Sequence, residues 1–333
     1  MSQTFTKVLS KILTAVFVFS VIIASLPATA AESKNSIDDL KKIQNNIREK
    51  DPFKIKSQKI ISKSKNVQVS NQSELSIEID QVSKKINIIN DKKGNTLIDI
   101  PNRDKLTEVQ TIDNQVIFSN KEVKFDVIVE AIDGGVRQII NLKDSSAPST
   151  YDFPIELLNG EKLIVNKDGS AKIVLAEISS ITKEAKTKTL IAKPWAKSAD
   201  GKELPTTYEV VGNNILRQKI DLKEAIFPVV ADPIWCGNAV SSTSWLDRGG
   251  VWSASIIPTS CGAWGGQAWY SWEEAYSKID SAHWDRNTNY WSMYNQYACH
   301  VDFAKGVKTP WNIEPSKSDK GYWGFANFWD QCN

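Results

Sequence analysis

Residues 1–234 contain no cysteine and no histidine, and they hold only Trp195 of the chain's twelve tryptophans. The four cysteines, both histidines and the other eleven tryptophans all follow Ile234. So abrupt a change in composition predicts two modules that meet near residue 234. Because the first module lacks the side chains best suited to catalysis, we interpret it as a scaffold or spacer and place the function in residues 234–333.

A second long hydrophobic run is also missing after the one at residues 12–26. Two lysines precede that run and the small residues Ala28-Thr29-Ala30-Ala31 follow it, which is typical of a secretory signal peptide. A membrane anchor is the alternative, but the fifteen residues fall short of the ~20 that a spanning helix needs. We therefore expect cleavage after Ala30, and a secreted, extracellular protein that makes no membrane contact afterwards.

The C-terminal module has no strongly basic region. The formal net charge of the chain is +2, and from Asp232 onward there are 7 Lys and Arg residues against 10 Asp and Glu residues. A nucleic-acid-binding surface needs a basic patch or stripe. The composition therefore argues against nucleic acid as a partner, and it leaves the oligomeric state open.

Residues 31–70 form a leader that is rich in lysine. Ser36 can cap a helix over residues 37–50, and Pro52 would end it. Nine cations lie between positions 41 and 65. We expect a helical leader with a solvated face, and contact with an anionic wall polymer is the alternative.

From Leu75 onward, hydrophobic residues alternate with polar ones in short runs. Leu75, Ile77 and Ile79 open the pattern, and turn sequences such as Gly134-Gly135 separate the later runs. Short alternating runs bounded by Gly, Asn and Asp are typical of antiparallel strands joined by hairpins. Residues 71–233 are thus predicted to form a β-rich, sandwich-like module.

After Ile234, leucine, isoleucine and valine are scarce and aromatic rings replace them. Of the 99 residues from Trp235 onward, 20 are Trp, Tyr or Phe. Residues 265–279 and 288–304 have helical periodicity and residues 250–257 alternate like a strand, so an α+β domain is predicted. Rings must build most of its core, and the surplus can reach the surface. The tryptophans beside glycine or polar residues are the best candidates for exposure: Trp264, Trp269, Trp323 and Trp329.

The C-terminal module has an even number of cysteines: Cys236, Cys261, Cys299 and Cys332. In a small exported domain such a set predicts two disulfides, for which three pairings are possible. Zinc binding is the alternative, but the sequence has no Cys-x₂₋₄-Cys unit. We expect disulfides, and neither a metal nor a cofactor.

Two stretches of the chain resemble known families. Residues 150–235, with Pro194-Trp195-Ala196 and a closing Phe-Pro-Val-Val-Ala-Asp-Pro strand, are similar to a β module of actinobacterial secreted proteins. Residues 244–333 resemble a bacterial secreted domain of unknown function, through MYNQYACH at 293–300, KTPWNIEP at 308–315 and the terminal Cys-Asn. That domain has Met-x-x-Gln-x-x-Cys-His, then Lys-x-x-Trp-Asn-Leu-Glu, then Cys-Asn. Here Ile313 replaces the leucine, and Pro315-Ser316 replaces the Arg-Pro that commonly follows the glutamate.

The second resemblance implies a disulfide pairing but no activity. In that family the cysteines that match Cys299 and Cys332 recur, whereas the position of Cys261 can hold another residue. The resemblance therefore implies a Cys299–Cys332 bridge, which leaves Cys236 to bond Cys261.

The resembled blocks contribute six candidate ligand-binding residues: Gln296, His300, Lys308, Trp311, Asn312 and Glu314. In one interpretation they line a cleft, in which His300 would act with Glu314 or Asp302 as acid and base. In the other they are hydrogen-bonded groups of an aromatic core, with His300 packed beside the Cys299 disulfide. The second interpretation is favoured, because polar residues in such a core need partners in any case.

Three functions are compatible with the sequence. The export signal, the excess of rings and the lack of a catalytic signature favour a secreted protein that binds an extracellular or cell-surface ligand, with a glycan or wall polymer as the first candidate. A secreted hydrolase that uses His300 is the second hypothesis, and a secreted antibacterial effector is the third. Whether the protein is an enzyme stays open.

Overall fold

The computed structural model describes most of the chain from Leu75 onward and isolated parts before it. The described residues are 41, 45, 47, 49, 55, 58, 59, 61–63, 66–70, 75–265, 267–304, 307–326 and 332, with only the backbone described for 61–63 and 66–70. The predicted signal peptide and most of the predicted leader helix lie outside them. The chain divides into the units Met1–Glu49 and Lys50–Asn333, and every sheet formed by described residues belongs to the second.

Among the residues that the structure describes, eighteen strands form the first module. The first nine are β1 (Ile61–Lys63), β2 (Asn66–Ser70), β3 (Leu75–Asp80), β4 (Lys85–Asn90), β5 (Thr96–Asp99), β6 (Glu108–Ile112), β7 (Gln115–Ser119), β8 (Phe125–Ile132) and β9 (Gly135–Leu142), with a short 3₁₀ turn at Arg103–Lys105. The other nine are β10 (Thr150–Glu156), β11 (Lys162–Val165), β12 (Ala171–Ile178), β13 (Ala185–Ile191), β14 (Trp195–Lys197), β15 (Thr206–Val211), β16 (Ile215–Ile220), β17 (Val229–Asp232) and β18 (Ile234–Cys236).

These strands form two antiparallel sheets. The first sheet has the order β1-β2-β3-β4-β5-β10-β16-β15, and the second has the order β11-β12-β13-β18-β9-β8-β7-β6, with β17 joining β14 to β9. The alternation predicted from Leu75 is present, because Leu75, Ile77 and Ile79 are buried on one face of β3 while the residues between them are half-buried. Side chains on such a face can pack against a second sheet.

Both sheets contribute to one hydrophobic core, so the module is a sandwich. Phe153 on β10 meets Trp235 on β18 with ring centroids 5.9 Å apart. Tyr151 on β10 meets Phe125 on β8 at 5.4 Å. Both contacts join the first sheet to the second in edge-to-face geometry, which aromatic pairs prefer. The predicted β-rich, sandwich-like fold class is confirmed.

The sandwich extends past the predicted module boundary at residue 234. β18 lies between β13 and β9, where Trp235 pairs with Ile191 on one side and Val136 on the other. Trp235 is fully buried in the sandwich core. Its aromatic side chain therefore belongs to the first module, although composition groups it with the second.

The C-terminal module is a small α+β domain, as predicted. Its three-stranded sheet has the order β19 (Val240–Asp247), β20 (Trp252–Pro258) and β21 (Trp311–Ile313). Its helices are α1 (Ser260–Gly265), α2 (Ala268–Lys278), α3 (Tyr290–Cys299), which continues into a π-helical turn (His300–Ala304), and α4 (Gly321–Phe325). The helix predicted over residues 265–279 is present as α2, which begins three residues later, and α1 was not predicted. None of the helices among the described residues has the length and apolar character required to cross a lipid bilayer.

Aromatic rings build the core of this domain around Trp272 on α2. Trp272 is fully buried, and its ring lies 5.3 to 6.3 Å from those of five other aromatic residues. These partners are Tyr276, Trp284, Tyr290, Tyr294 and Tyr297. The indole N–H of Trp272 donates to the Tyr290 hydroxyl at 2.9 Å, so the polar end of the buried ring is satisfied.

A largely buried carboxylate fastens the domain to the sandwich. Glu274 on α2 accepts hydrogen bonds from the backbone N–H groups of Ala239 (3.0 Å) and Val240 (3.1 Å), and from the Lys93 ammonium of the β4–β5 turn (2.9 Å). Lys278 lies 3.3 Å from the same carboxylate. Burial acts to raise the pKa of Glu274, but the two lysines and the backbone donors outweigh it and hold that pKa below its usual range.

Candidate functional site

The residues of the resembled sequence blocks meet where α3 packs on β21. Gln296 is fully buried on α3, and its amide donates to the Glu314 carbonyl at 3.0 Å while accepting from the Glu314 N–H at 2.8 Å. This reciprocal pair replaces the hydrogen bonds that a neighbouring strand would make. Gln296 therefore holds the backbone after β21 in place.

His300 lies one helical turn after Gln296 and is also fully buried. Its Nδ1 is 2.8 Å from the Gln296 carbonyl oxygen, and its ring centroid is 6.1 Å from that of buried Trp311. Burial lowers the pKa of His300 to about 4, although the Gln296 carbonyl opposes the shift. The imidazole is therefore neutral near pH 7.

The two carboxylates considered as partners of His300 are engaged elsewhere. Glu314 accepts a hydrogen bond from Ser253 (3.2 Å) and pairs with Lys317 (3.5 Å). Asp302 is exposed and accepts a hydrogen bond of 2.6 Å from the Tyr322 hydroxyl. Within the described part of the chain, no hydrogen bond or ion pair joins either carboxylate to His300.

The six candidate residues thus come together, but mostly in the interior rather than along a cleft. Gln296, His300, Trp311 and Asn312 are buried, Glu314 is largely covered and Lys308 is half-buried. Burial and the nearby Arg248 lower the pKa of Lys308. The buried four are covered by the domain core and are not accessible from solvent in this structure, so their role in ligand binding stays a prediction.

Two disulfides, Cys236–Cys261 and Cys299–Cys332, have the pairing that the family resemblance implied. The first joins β18 of the sandwich to α1. The second joins the end of α3 to the C-terminal tail, where Phe325 packs against it. In the described part of the chain, no group of three His, Cys, Asp or Glu side chains is placed to hold a metal ion.

A pair of parallel tryptophans lies partly exposed at the surface of the domain. Trp269 on α2 and Trp291 on α3 have ring planes only 7° apart and centroids 6.2 Å apart. Trp291 is 53% exposed and Trp269 is half-buried. Tyr294 lies nearly perpendicular to both rings, at 5.3 Å from Trp269 and 5.9 Å from Trp291, and supports them from the side. We call these three residues the aromatic platform.

The structure places only some of the predicted tryptophans at the surface. Trp323 is 76% exposed, Trp264 and Trp269 are half-buried, and Trp329 lies outside the described residues. Trp291 was not predicted, although a signal was present. The hydrophobic face of α3 that packs on the core consists of Tyr290, Met293, Tyr294 and Tyr297. Trp291 is not at one of these positions, so it points away from that face.

Comparison with known proteins supports a distinct C-terminal domain. Residues 240–333 match the model of a family described as a protein of unknown function, DUF2599. No curated protein and no solved structure gives a match. The match begins at β19, four residues after the last strand of the sandwich, and it contains every aromatic residue of the platform.

Proposed function

We propose that the protein is secreted and binds an extracellular or cell-surface glycan through the aromatic platform. The observation that carries the proposal is the parallel pair Trp269 and Trp291, of which Trp291 is more than half exposed to solvent. The C–H faces of pyranose rings carry a partial positive charge and pack on the negative faces of aromatic rings. Two parallel rings on adjacent helices can contact successive sugar units of one chain.

The rigidity of the platform supports this interpretation. Trp291 also contacts Tyr290 at 5.2 Å, and Tyr290 and Tyr294 both pack on buried Trp272. Burial raises the pKa of Tyr294 to about 12, so its hydroxyl stays neutral over the physiological range. Rings that are already ordered lose little conformational entropy on binding, which favours affinity.

Secretion is supported by two features. The sequence has the arrangement of a signal peptide at residues 1–30, and all four cysteines form disulfides, which persist in oxidising compartments. The hydrolase hypothesis receives no comparable support, because His300 is buried and has no carboxylate partner among the described residues. No observation favours the antibacterial effector.

A pull-down on insoluble peptidoglycan and on purified wall polysaccharides tests the proposal. The parent chain should be retained on at least one polymer, and Trp291→Ala should weaken that retention by about tenfold, as expected for a tryptophan at the centre of a binding surface. Far-UV and near-UV circular dichroism would establish that the variant is folded.

The matched control is Trp323→Ala. Trp323 is more exposed than Trp291, but its ring meets Tyr322 edge-on at 80° and has no parallel partner among the residues that the structure describes. Retention should therefore be nearly unchanged in this variant. No retention of the folded parent chain on any polymer, or equal losses in the two variants, would contradict glycan binding by the platform.

A further inference from the structure

A groove separates the β12–β13 hairpin of the sandwich from helix α2 of the C-terminal domain. It consists of two adjoining cavities of about 310 and 510 Å³, which share the lining residues Ser180, Ile181 and Ser277. The smaller cavity reaches the β4–β5 turn at Lys92 and Lys93. The larger one opens toward Arg286 and Tyr290.

Direct bonds between the two modules hold the walls of this groove in place. The Gln267 amide, just before α2, donates to the Ile191 carbonyl of β13 at 2.8 Å. The Trp269 indole donates to Glu184 of the hairpin at 3.2 Å. Together with the Glu274 contacts described above, these bonds make the groove a preformed cavity.

Cations outnumber carboxylates along the groove by five to three. The cations are Lys92, Lys93, Lys186, Lys278 and Arg286, and the carboxylates are Glu177, Glu273 and Glu274. Three of the cations come from the sandwich, although the domain across the groove has more acidic than basic residues. The positive charge of the groove is therefore a property of the joined modules.

Two of the three carboxylates are already engaged by lysines. Glu274 is largely covered and bound by Lys93, Lys278 and two backbone N–H groups, so it neutralises those two lysines and does not stand in the groove as a free anion. Glu177 pairs with Lys186; the Glu177 side chain is exposed and that of Lys186 is partly exposed. An exposed ion pair of this kind contributes little stability. An incoming anion can therefore take the place of Glu177 beside Lys186 at small cost.

The groove lies next to the aromatic platform. Tyr290 lines the larger cavity, and its ring is 5.2 Å from that of Trp291. Trp269 connects the platform to the hairpin through its bond to Glu184. A polymer chain stacked on Trp291 would thus pass Tyr290 and enter the groove.

We propose that this groove binds the acidic substituents of the polymer, carboxylate or phosphate, so that the ligand is an anionic glycan. The inference rests on the proposed function, since the platform supplies the sugar contact and the groove supplies the charge selection. It also gives the sandwich a role in recognition, because Lys92 and Lys186 belong to that module.

Affinity electrophoresis or calorimetry of the whole chain on matched polymers tests the charge selection. Polygalacturonate and its fully methyl-esterified form share one backbone and differ in charge, and poly(glycerol phosphate) represents phosphate. The parent chain should bind the acidic polymer at least tenfold more tightly than the ester. The double variant Lys92→Gln/Lys186→Gln should lose most of that preference, about tenfold, without weakening binding to the ester.

A double variant at two exposed lysines outside the groove, Lys121→Gln/Lys202→Gln, has the same net charge and should keep the preference. The inference is overturned if the parent chain binds the acidic and the esterified polymer with equal affinity. It is also overturned if the parent chain binds neither polygalacturonate nor poly(glycerol phosphate). An equal loss in the two double variants overturns it as well. Trp291→Ala reports separately on the platform, because it should weaken binding to acidic and esterified polymers alike.

Discussion

Replacing Glu274 by glutamine should destabilise the protein strongly, although the two side chains have the same shape. The carboxylate has a side-chain exposure of 9%, accepts hydrogen bonds from Lys93 and two backbone N–H groups, and forms an ion pair with Lys278. Glutamine keeps one acceptor oxygen and turns an N–H₂ group toward the remaining donors. Breaking a buried ion pair costs about 3–5 kcal/mol. Because the two lysines are partly exposed, we expect the lower end, about 3 kcal/mol, in the free energy of unfolding.

Urea unfolding followed by tryptophan fluorescence measures this effect, since eleven tryptophans follow Ile234. The matched control is Glu273→Gln, the same chemical change one residue earlier on α2. Glu273 is half-buried and lines the open groove, so its replacement should change the free energy of unfolding by less than about 0.5 kcal/mol. Equal effects of the two substitutions would refute the assignment of Glu274 as the fastening group.

The difference between parent and Glu274→Gln should also depend on pH. Because the folded-state pKa of Glu274 lies below its usual value, the carboxylate stabilises the fold above the unfolded pKa of about 4.3. That contribution is lost as the pH falls through the folded pKa. The two unfolding curves should therefore converge below about pH 4, and a constant separation down to pH 2 would contradict the reasoning.

Three further predictions concern the domain core. Since burial lowers the pKa of His300 to about 4, stability should fall as the pH drops from about 6.5 to about 4, and His300→Asn should reduce that slope in urea titrations. Cys332→Ser opens the loop closed by two cysteines 33 residues apart and should cost about 3–4 kcal/mol, with increased dye binding to aromatic surface and an intact β-sheet signal. Gly262→Ala should lower the melting temperature despite the better helix propensity of alanine, because its Cβ would lie 1.9 Å from the Ala239 carbonyl oxygen; a raised melting temperature would contradict this.

The sandwich was predictable because its signal is local. Alternation such as that of Leu75, Ile77 and Ile79 reports which face of a strand is buried, and glycine pairs mark the turns. Composition failed at β18, where Trp235 has the character of the following domain but packs in the sandwich core. A tryptophan fits either environment, so only the strand pairing decides its place.

The candidate site was less predictable, since its properties depend on tertiary packing. Gln296 and His300 have the side chains expected of a ligand site, yet the same groups satisfy buried backbone in an aromatic core. Trp272 and Trp291 are the same residue type on adjacent helices, and one is buried while the other is exposed. The groove is lined by Lys92, Lys186 and Arg286. Each of these lies about a hundred positions along the sequence from the next, so no local sequence pattern could place them together.

The Cys236–Cys261 bridge has a consequence for how the domain can be isolated. The family match begins at residue 240, so a fragment cut at that boundary contains Cys261 without Cys236. Such a fragment would have three cysteines, and an unpaired thiol of this kind favours intermolecular dimers in air. Conversely, proteolysis of the whole chain between positions 236 and 261 would leave both pieces covalently attached until a reductant is added. Self-association of the excised domain would then result from the unpaired Cys261 and would not indicate a native oligomer.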